Sequence, residues 1–271
     1  MTNHDKAKEL HDQLMHSVTM LVTSDDWQAA LQFAAKFHRY SFGNQLLIAR
    51  QKPDAMRVAG FNTWKKLGRH VKAGETGLRI LAPITVKKEN DDGTESRVLR
   101  WFKVVSVFDV SQTEGADLPE EVRYPSLLGG EGSAWDDLAR LVEAEGFTVE
   151  RGPCFGANGF TDYAARVVRV RDDVTPMQAT KTLAHELGHV LLHEGERFEC
   201  RGVKEVEAES VAYVVCAALG FETGDYSLPY VAGWSDGKVE VVKATGERVV
   251  ATARKVLDAL EQASERELVL A

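Results

Sequence analysis

Residues 175–193 read TPMQATKTLAHELGHVLLH, and this stretch decides the architecture of the C-terminal half. Thr175 suits a helix cap, Pro176 the first helical position, where no N–H is needed, and Gln178 the third. The spacing therefore predicts a helix that opens with a capping box and runs to about His193. Within it, His185 and His189 lie four residues apart, which places both imidazoles on one helical face, one turn apart, where they reach a single ion. Glu186 falls on the neighbouring face, where it would take a proton from water activated by that ion. The apolar flanks Leu183-Ala184 and Val190-Leu191-Leu192 would bury the helix and keep the site dry.

A catalytic zinc needs a third protein ligand and an open fourth position. Metzincin spacing requires Gly at 192 and His at 195, but Leu192 and Gly195 stand there, which excludes that class. His193 continues the series a full turn beyond His189. On a straight helix three such rings do not converge on one metal, so His193 reads as a helix-end residue near the last carbonyls. The next predicted helix, Val203 to Leu219, carries Glu205-Val206-Glu207-Ala208-Glu209-Ser210-Val211-Ala212. Glu205 and Glu209 share a face, while Ala208 and Ala212 allow close helix approach. Glu205 is expected to bind Zn2+ and Glu209 to accept a ligand histidine N–H, with the reverse assignment open. Glu207 points elsewhere and reads as a solvated acid.

A chain of 271 residues with 44% hydrophobic content suffices for one large domain or two ordinary ones, each with its own core. The charged N-terminus and the lack of a long apolar run predict a cytoplasmic protein with no membrane association. A monomer is expected. Cys154, Cys200 and Cys216 form no paired motif and read as small buried hydrophobes. The net charge of -8 is unevenly spread: Lys36 to Lys103 holds 15 Lys and Arg against 6 Asp and Glu, leaving 18 against 35 elsewhere. Such asymmetry suggests two domains with different partners.

Helices are predicted at Lys6–Val22, Ser24–Phe37 and Phe42–Arg50, with a short segment at Phe61–Leu67. Strands follow at Leu78–Lys87 and Val98–Val110, joined by a turn at Asn90-Asp91-Asp92-Gly93. Ser111 to Ser133 lacks periodicity and reads as the boundary, giving domains 1–115 and 116–271. Beyond it come a helix at Ala134–Glu145, extended segments at Phe147–Arg151 and Ala164–Arg171, the two site helices, and a long helix at Val239–Ala263. The whole is an α+β protein, with a helical and β-hairpin domain preceding a zincin-like one.

In the basic stretch, Trp64-Lys65-Lys66-Leu67-Gly68-Arg69-His70-Val71-Lys72 interleaves an aromatic with cations, and Arg79, Lys87, Lys88, Arg97, Arg100 and Lys103 follow on the hairpin. Cations would neutralise phosphates while Tyr40, Phe61, Trp64 or Trp101 stack on unpaired bases. Any single aromatic there reads as core; the collective charge reads as a nucleic-acid path. Asn44 and Gln45 suit base edges or phosphates, or equally the anchoring of a neighbouring loop.

The segments Lys181–His189 and Glu205–Tyr213 resemble the ImmA/IrrE-type metallopeptidases and the C-terminal domain of ArdC antirestriction proteins. Tyr40–Ile48, Ala59–Arg69, Val71–Glu75 and Ile80–Pro83 are similar to the ArdC N-terminal domain. The resemblance implies a domain that binds single-stranded DNA joined to a gluzincin-like or SprT-like protease domain, with Glu205, the first Glu of a Glu-x-x-Ala pattern, as third ligand. The expected function is a DNA-associated zinc metallopeptidase acting on a polypeptide. The alternatives are a DNA-masking antirestriction protein with structural zinc and a protease that cleaves a regulator.

Overall fold

The computed structural model describes residues 3–89, 95–118, 131–195, 201–221 and 231–270. The expected turn at Asn90–Gly93, much of the expected linker, and Cys200 lie outside the described residues. The first part of the chain runs α1 (Asn3–Thr19), α2 (Ser24–Lys36), α3 (Phe42–Gln51), β1 (Val58–Gly60), α4 (Phe61–Lys66), β2 (Arg69–Val71), β3 (Leu78–Glu89), β4 (Glu95–Asp109) and β5 (Thr113–Gly115). The second runs α5 (Glu131–Ala144), β6 (Thr148–Arg151), β7 (Gly159–Asp162), β8 (Val167–Val170), α6 (Pro176–His193), α7 (Arg201–Ala218), α8 (Val231–Ser235) and α9 (Val239–Leu270). The protein is of mixed α+β class.

These elements form two compact units, one of Met1–Met20 with Gly43–Pro119 and the other of Leu21–Phe42 with Glu120–Ala271. A single division near residue 115 is thus only part of the pattern, because α2 packs with the C-terminal unit. The reason is its apolar face: Trp27, Leu31, Ala34 and Ala35 are buried, α2 lies on α7, and the Trp27 indole N–H donates to Ser210 Oγ at 3.0 Å. Its cap is Thr23, whose side chain accepts from the Asp26 N–H while the Asp26 carboxylate accepts from the Thr23 N–H.

In the N-terminal unit, Ala7, Leu10, Leu14 and Val18 repeat at helical spacing and are buried, and α1 packs on β3 and β4. The sheet order is β1-β4-β3, all antiparallel, so β3 is an edge. Two side-chain amides of α3 cover that edge. Asn44 donates to the Leu81 carbonyl and accepts from the Leu81 N–H, both at 2.9 Å. Gln51 does the same for Arg79, at 2.9 and 2.8 Å. Two turns of helix thus match two residues of strand and satisfy backbone groups that an edge leaves open. A second pair, β2 with β5, lies where the sequence shows a basic run and an apparent linker. Gly115 is obligatory in it: φ is +130°, and an added Cβ would lie 2.5 Å from the Gly68 carbonyl oxygen.

In the C-terminal unit the sheet order is β6-β8-β7, with β6 parallel and β7 antiparallel to β8. Helix α6 packs on α5, α7, β7 and β8, while α7 also packs on α9. Thr175 caps α6 by accepting from the Gln178 N–H at 3.2 Å, whereas the Gln178 side chain turns to Thr182, so the expected capping box is half formed. Gly188 sets the α6–α7 distance, since a Cβ there would lie 3.1 Å from Ala208 Cα. Cys154 and Cys216 are buried thiols outside any disulfide.

Candidate metal centre

His185 and His189 project from α6 and Glu205 from α7, and their ligand atoms all lie within 4.8 Å of one another. The two Nε2 atoms are 3.0 Å apart, and Glu205 Oε2 is 3.6 Å from the first and 3.7 Å from the second. A circle through three points so spaced has a radius of about 2.0 Å, the length of a Zn–N or Zn–O bond, so the residues present fit a zinc ion. Burial disfavours a charged His185 ring, but the Glu205 and Glu209 carboxylates outweigh it and push the ring up to about 10. The His185 and His189 rings in turn hold the Glu205 carboxyl well below the usual carboxylate range. A divalent cation at this point competes with protons for the same lone pairs.

The partners of the outer ring nitrogens differ. His185 Nδ1 lies 2.8 Å from Glu209 Oε2, the direct carboxylate partner expected of Glu209. His189 Nδ1 instead lies 2.9 Å from His193 Nδ1, and His193 Nε2 is 3.0 Å from Glu207 Oε2. This corrects two readings. His193 does end α6, but its ring turns to His189 and Glu207 rather than to the last carbonyls, as a buried link between two helices. Glu207 is not a solvated acid: it is 1% exposed and sits 2.9 Å from Arg248 Nε of α9. A charge-based reading missed it because the sign of a residue does not say which helix faces it.

Glu186 is buried beside the site, and burial raises its pKa above the usual carboxylate value. The Thr161 hydroxyl of β7 donates to Glu186 Oε2 at 2.8 Å. Strand and helix meet closely here, since a Cβ on Gly159 would lie 2.7 Å from Thr182 Cγ2. A cleft of about 500 Å3 opens over these groups, lined by Asn158, Gly159, Gln178, Lys181, His185, Glu186, Glu205 and Glu209. Nothing in the sequence pattern singled out Thr161, because a strand of four residues carries little periodicity.

The residues expected on a nucleic-acid path fare unevenly. Trp64 is 2% exposed, with its indole N–H on the Phe108 carbonyl, so it offers no face for stacking. Gln45 is buried, and Asn44 is committed to the β3 edge. Tyr40 falls in the C-terminal unit, half-buried, with burial raising its pKa. Arg69 spans β2 and β5, donating to the Thr113 hydroxyl and to the Thr113 and Ala116 carbonyls, while Lys72 donates to the Ser111 carbonyl. Lys65, Lys66 and Arg79 are exposed. So are Lys87, Lys88, Arg97, Arg100 and Lys103 on β3 and β4, together with Trp101 and Phe102 at 45% and 40%. Trp101 pairs with Ile84 and Phe102 with Pro83, so the two rings point to opposite faces of the hairpin. Among the described residues no helix is long and apolar enough to cross a membrane.

Residues 4–108 match the family described as the N-terminal domain of anti-restriction factor ArdC, and residues 150–217 match the IrrE N-terminal-like domain, peptidase family M78. The chain is similar to an uncharacterized protein of Bacillus anthracis, 25% identical over 97% of this chain and 54% of that protein. It thus spans about half the length of the curated relative it matches. Among solved structures it is similar to the antirestriction ArdC protein from the R388 plasmid, in metal-free and Mn(II)-bound forms, at 19% identity. The TM-scores are 0.49 and 0.48, over 83% and 82% of this chain and 84% of each relative.

Proposed function

We propose that this chain, which joins an ArdC-type N-terminal domain to an IrrE-like peptidase M78 domain, is a zinc metallopeptidase of antirestriction type that works on single-stranded DNA. The observation that carries the reading is the placement of Glu186, buried beside three donors at zinc spacing and facing the same cleft. His185, His189 and Glu205 would hold the ion, with Glu209 orienting His185. Zinc, when bound, would supply a Lewis acid that polarises a carbonyl and activates water. Glu186 would be the group that accepts a proton and returns it to the leaving amine, with its carboxylate fixed by Thr161.

A polypeptide substrate suits the edge strand. An extended chain adding to β7 by main-chain hydrogen bonds would run past Gly159 and Thr161, directly beside Glu186. The exposed cations and aromatics of the β3–β4 hairpin support the DNA-binding half of the reading, since charge tracks phosphates and rings stack on unpaired bases.

Metal analysis of the purified chain, followed by peptide-library cleavage with and without single-stranded DNA, tests the proposal. About one zinc per chain is expected, with cleavage lost in Glu186→Gln while the metal is kept. Absence of stoichiometric zinc would overturn the metal site. Zinc without cleavage, with Glu186→Gln still protecting DNA in cells, would leave the DNA-masking alternative with a structural ion.

A further inference from the structure

We propose that Arg248, Glu207 and His193 form a buried relay that positions His189 and directs its Nε2 lone pair at the metal. The relay rests on the metal-site reading and deepens it. Arg248 lies on α9, outside residues 4–108 and 150–217, so the relay brings a third helix to the two that carry the site.

The outer link of the relay is an ion pair, and hydrogen-bond direction runs inward from Glu207. Arg248 Nε lies 2.9 Å from Glu207 Oε1, and its Nη2 donates to the Leu192 carbonyl at 3.2 Å. The guanidinium thus ties Glu207 on α7 to the C-terminal end of α6, where a cation also meets the negative end of the helix dipole. Glu207 is 1% exposed, and its carboxylate oxygen accepts, so the 3.0 Å contact to His193 Nε2 places an N–H there. A His189 Nε2 that serves as a metal ligand, facing His185 Nε2 and Glu205 Oε2, carries no proton, so the His189 ring proton sits on Nδ1. His189 therefore donates the 2.9 Å contact to His193 Nδ1, and His193 keeps its own N–H on Nε2, toward Glu207. With the opposite direction throughout, His189 would point an N–H at the ion and could not bind it. His185 obtains the same result from one carboxylate, Glu209. The two ligands are set by different devices, one half-exposed and direct, one buried and three residues long.

Zinc affinity of the full chain, by competition with a chelator, is the test. His193→Leu is expected to weaken zinc by about 10–100-fold, the range for lost partners of ligand histidines. His193→Gln offers a carbonyl acceptor toward His189 and an N–H donor toward Glu207, and should bind zinc close to wild type. The visible spectrum of the cobalt-loaded protein should change in His193→Leu and return in His193→Gln, which a merely structural role would not produce. Arg248→Met, at the outer end of the relay, should weaken zinc while the chelator-treated protein still melts in a cooperative transition, and keeps the test open if His193→Leu does not fold. Wild-type affinity in both His193→Leu and Arg248→Met, or equal loss in His193→Leu and His193→Gln, overturns the relay while leaving the metal site standing. No zinc in the wild type overturns both.

Discussion

Thr161 of β7 donates its hydroxyl proton to Glu186 Oε2 across 2.8 Å, which joins the edge strand beside the cleft to the acid that faces it. Glu186→Gln removes the proton acceptor, so turnover in the peptide-library assay is expected to fall about 10²–10⁴-fold with zinc content unchanged. Thr161→Val removes only the hydrogen bond that aims the carboxylate. A smaller loss of turnover, again with full zinc, is expected; wild-type turnover in Thr161→Val would show that Glu186 needs no such support.

Glu205 and Glu209 separate by distance. Glu205 Oε2 approaches both Nε2 atoms, whereas Glu209 Oε2 lies on the far side of His185, 2.8 Å from Nδ1. Glu205→Ala is therefore expected to strip the ion and Glu209→Ala to weaken it by about 10–100-fold. Metal analysis after dialysis checks the order, and a reversed order would exchange the two roles.

Asp109 gives a pH prediction outside the metal centre. Burial tends to raise its carboxyl, but hydrogen bonds from the backbone N–H groups of Met56, Ser111 and Arg57 outweigh burial and hold it below the usual range. A depressed carboxylate contributes stability above its unfolded pKa and loses it as pH falls through the folded value. Protection of the Met56 and Arg57 amides from hydrogen exchange should thus persist near neutrality and decay in strong acid. Asp109→Asn turns an amide N–H toward backbone donors and should cost about 1–3 kcal/mol at neutral pH. Unchanged amide protection in Asp109→Asn would refute the assignment.

Gly246 of α9 sets helix propensity against packing. Alanine in a helix interior is favoured over glycine by about 0.5–1 kcal/mol. A Cβ at Gly246, however, would lie 2.3 Å from Cε1 of the Phe42 ring, which is 1% exposed and contacts Trp27. Overpacking of that kind costs about 1–3 kcal/mol, so Gly246→Ala should lower the melting temperature. A rise would mean that the Phe42 ring moves aside freely.

The sequence exposed those features whose causes are local. The α6 helix followed from Thr175, Pro176 and an apolar face, and the hairpin from long runs of β-branched residues. Features set by distant partners stayed hidden. His193 and Glu207 meet only because α6 and α7 pack at Gly188 and Ala208, and Arg248 joins them from a third helix. Likewise Trp64 and Arg69 look like a DNA-binding run, yet one is core and the other clamps β2 to β5, because cation spacing alone does not reveal backbone carbonyls within reach. Three-residue strands such as β1, β2 and β5 are too short for alternation to mark them.

Lys65, Lys66, Arg79, Lys87, Lys88, Arg97 and Arg100 are exposed, whereas Arg69 makes three hydrogen bonds within its own unit. Replacing Lys87, Lys88, Arg97 and Arg100 with Ser should weaken single-stranded DNA binding and flatten its salt dependence by about 0.7 in log-log slope for each phosphate no longer neutralised. Zinc content should not change, since every proposed ligand lies on α6 or α7. Trp101→Ala should cost about 1–3 kcal/mol of DNA affinity with little change in that slope, because stacking releases no counterions. Arg69→Ser is expected to act differently, lowering stability by removing its hydrogen bonds to backbone carbonyls before any effect on DNA is read. A salt titration in which the quadruple variant and wild type coincide would mean that the hairpin cations form only a solvated surface.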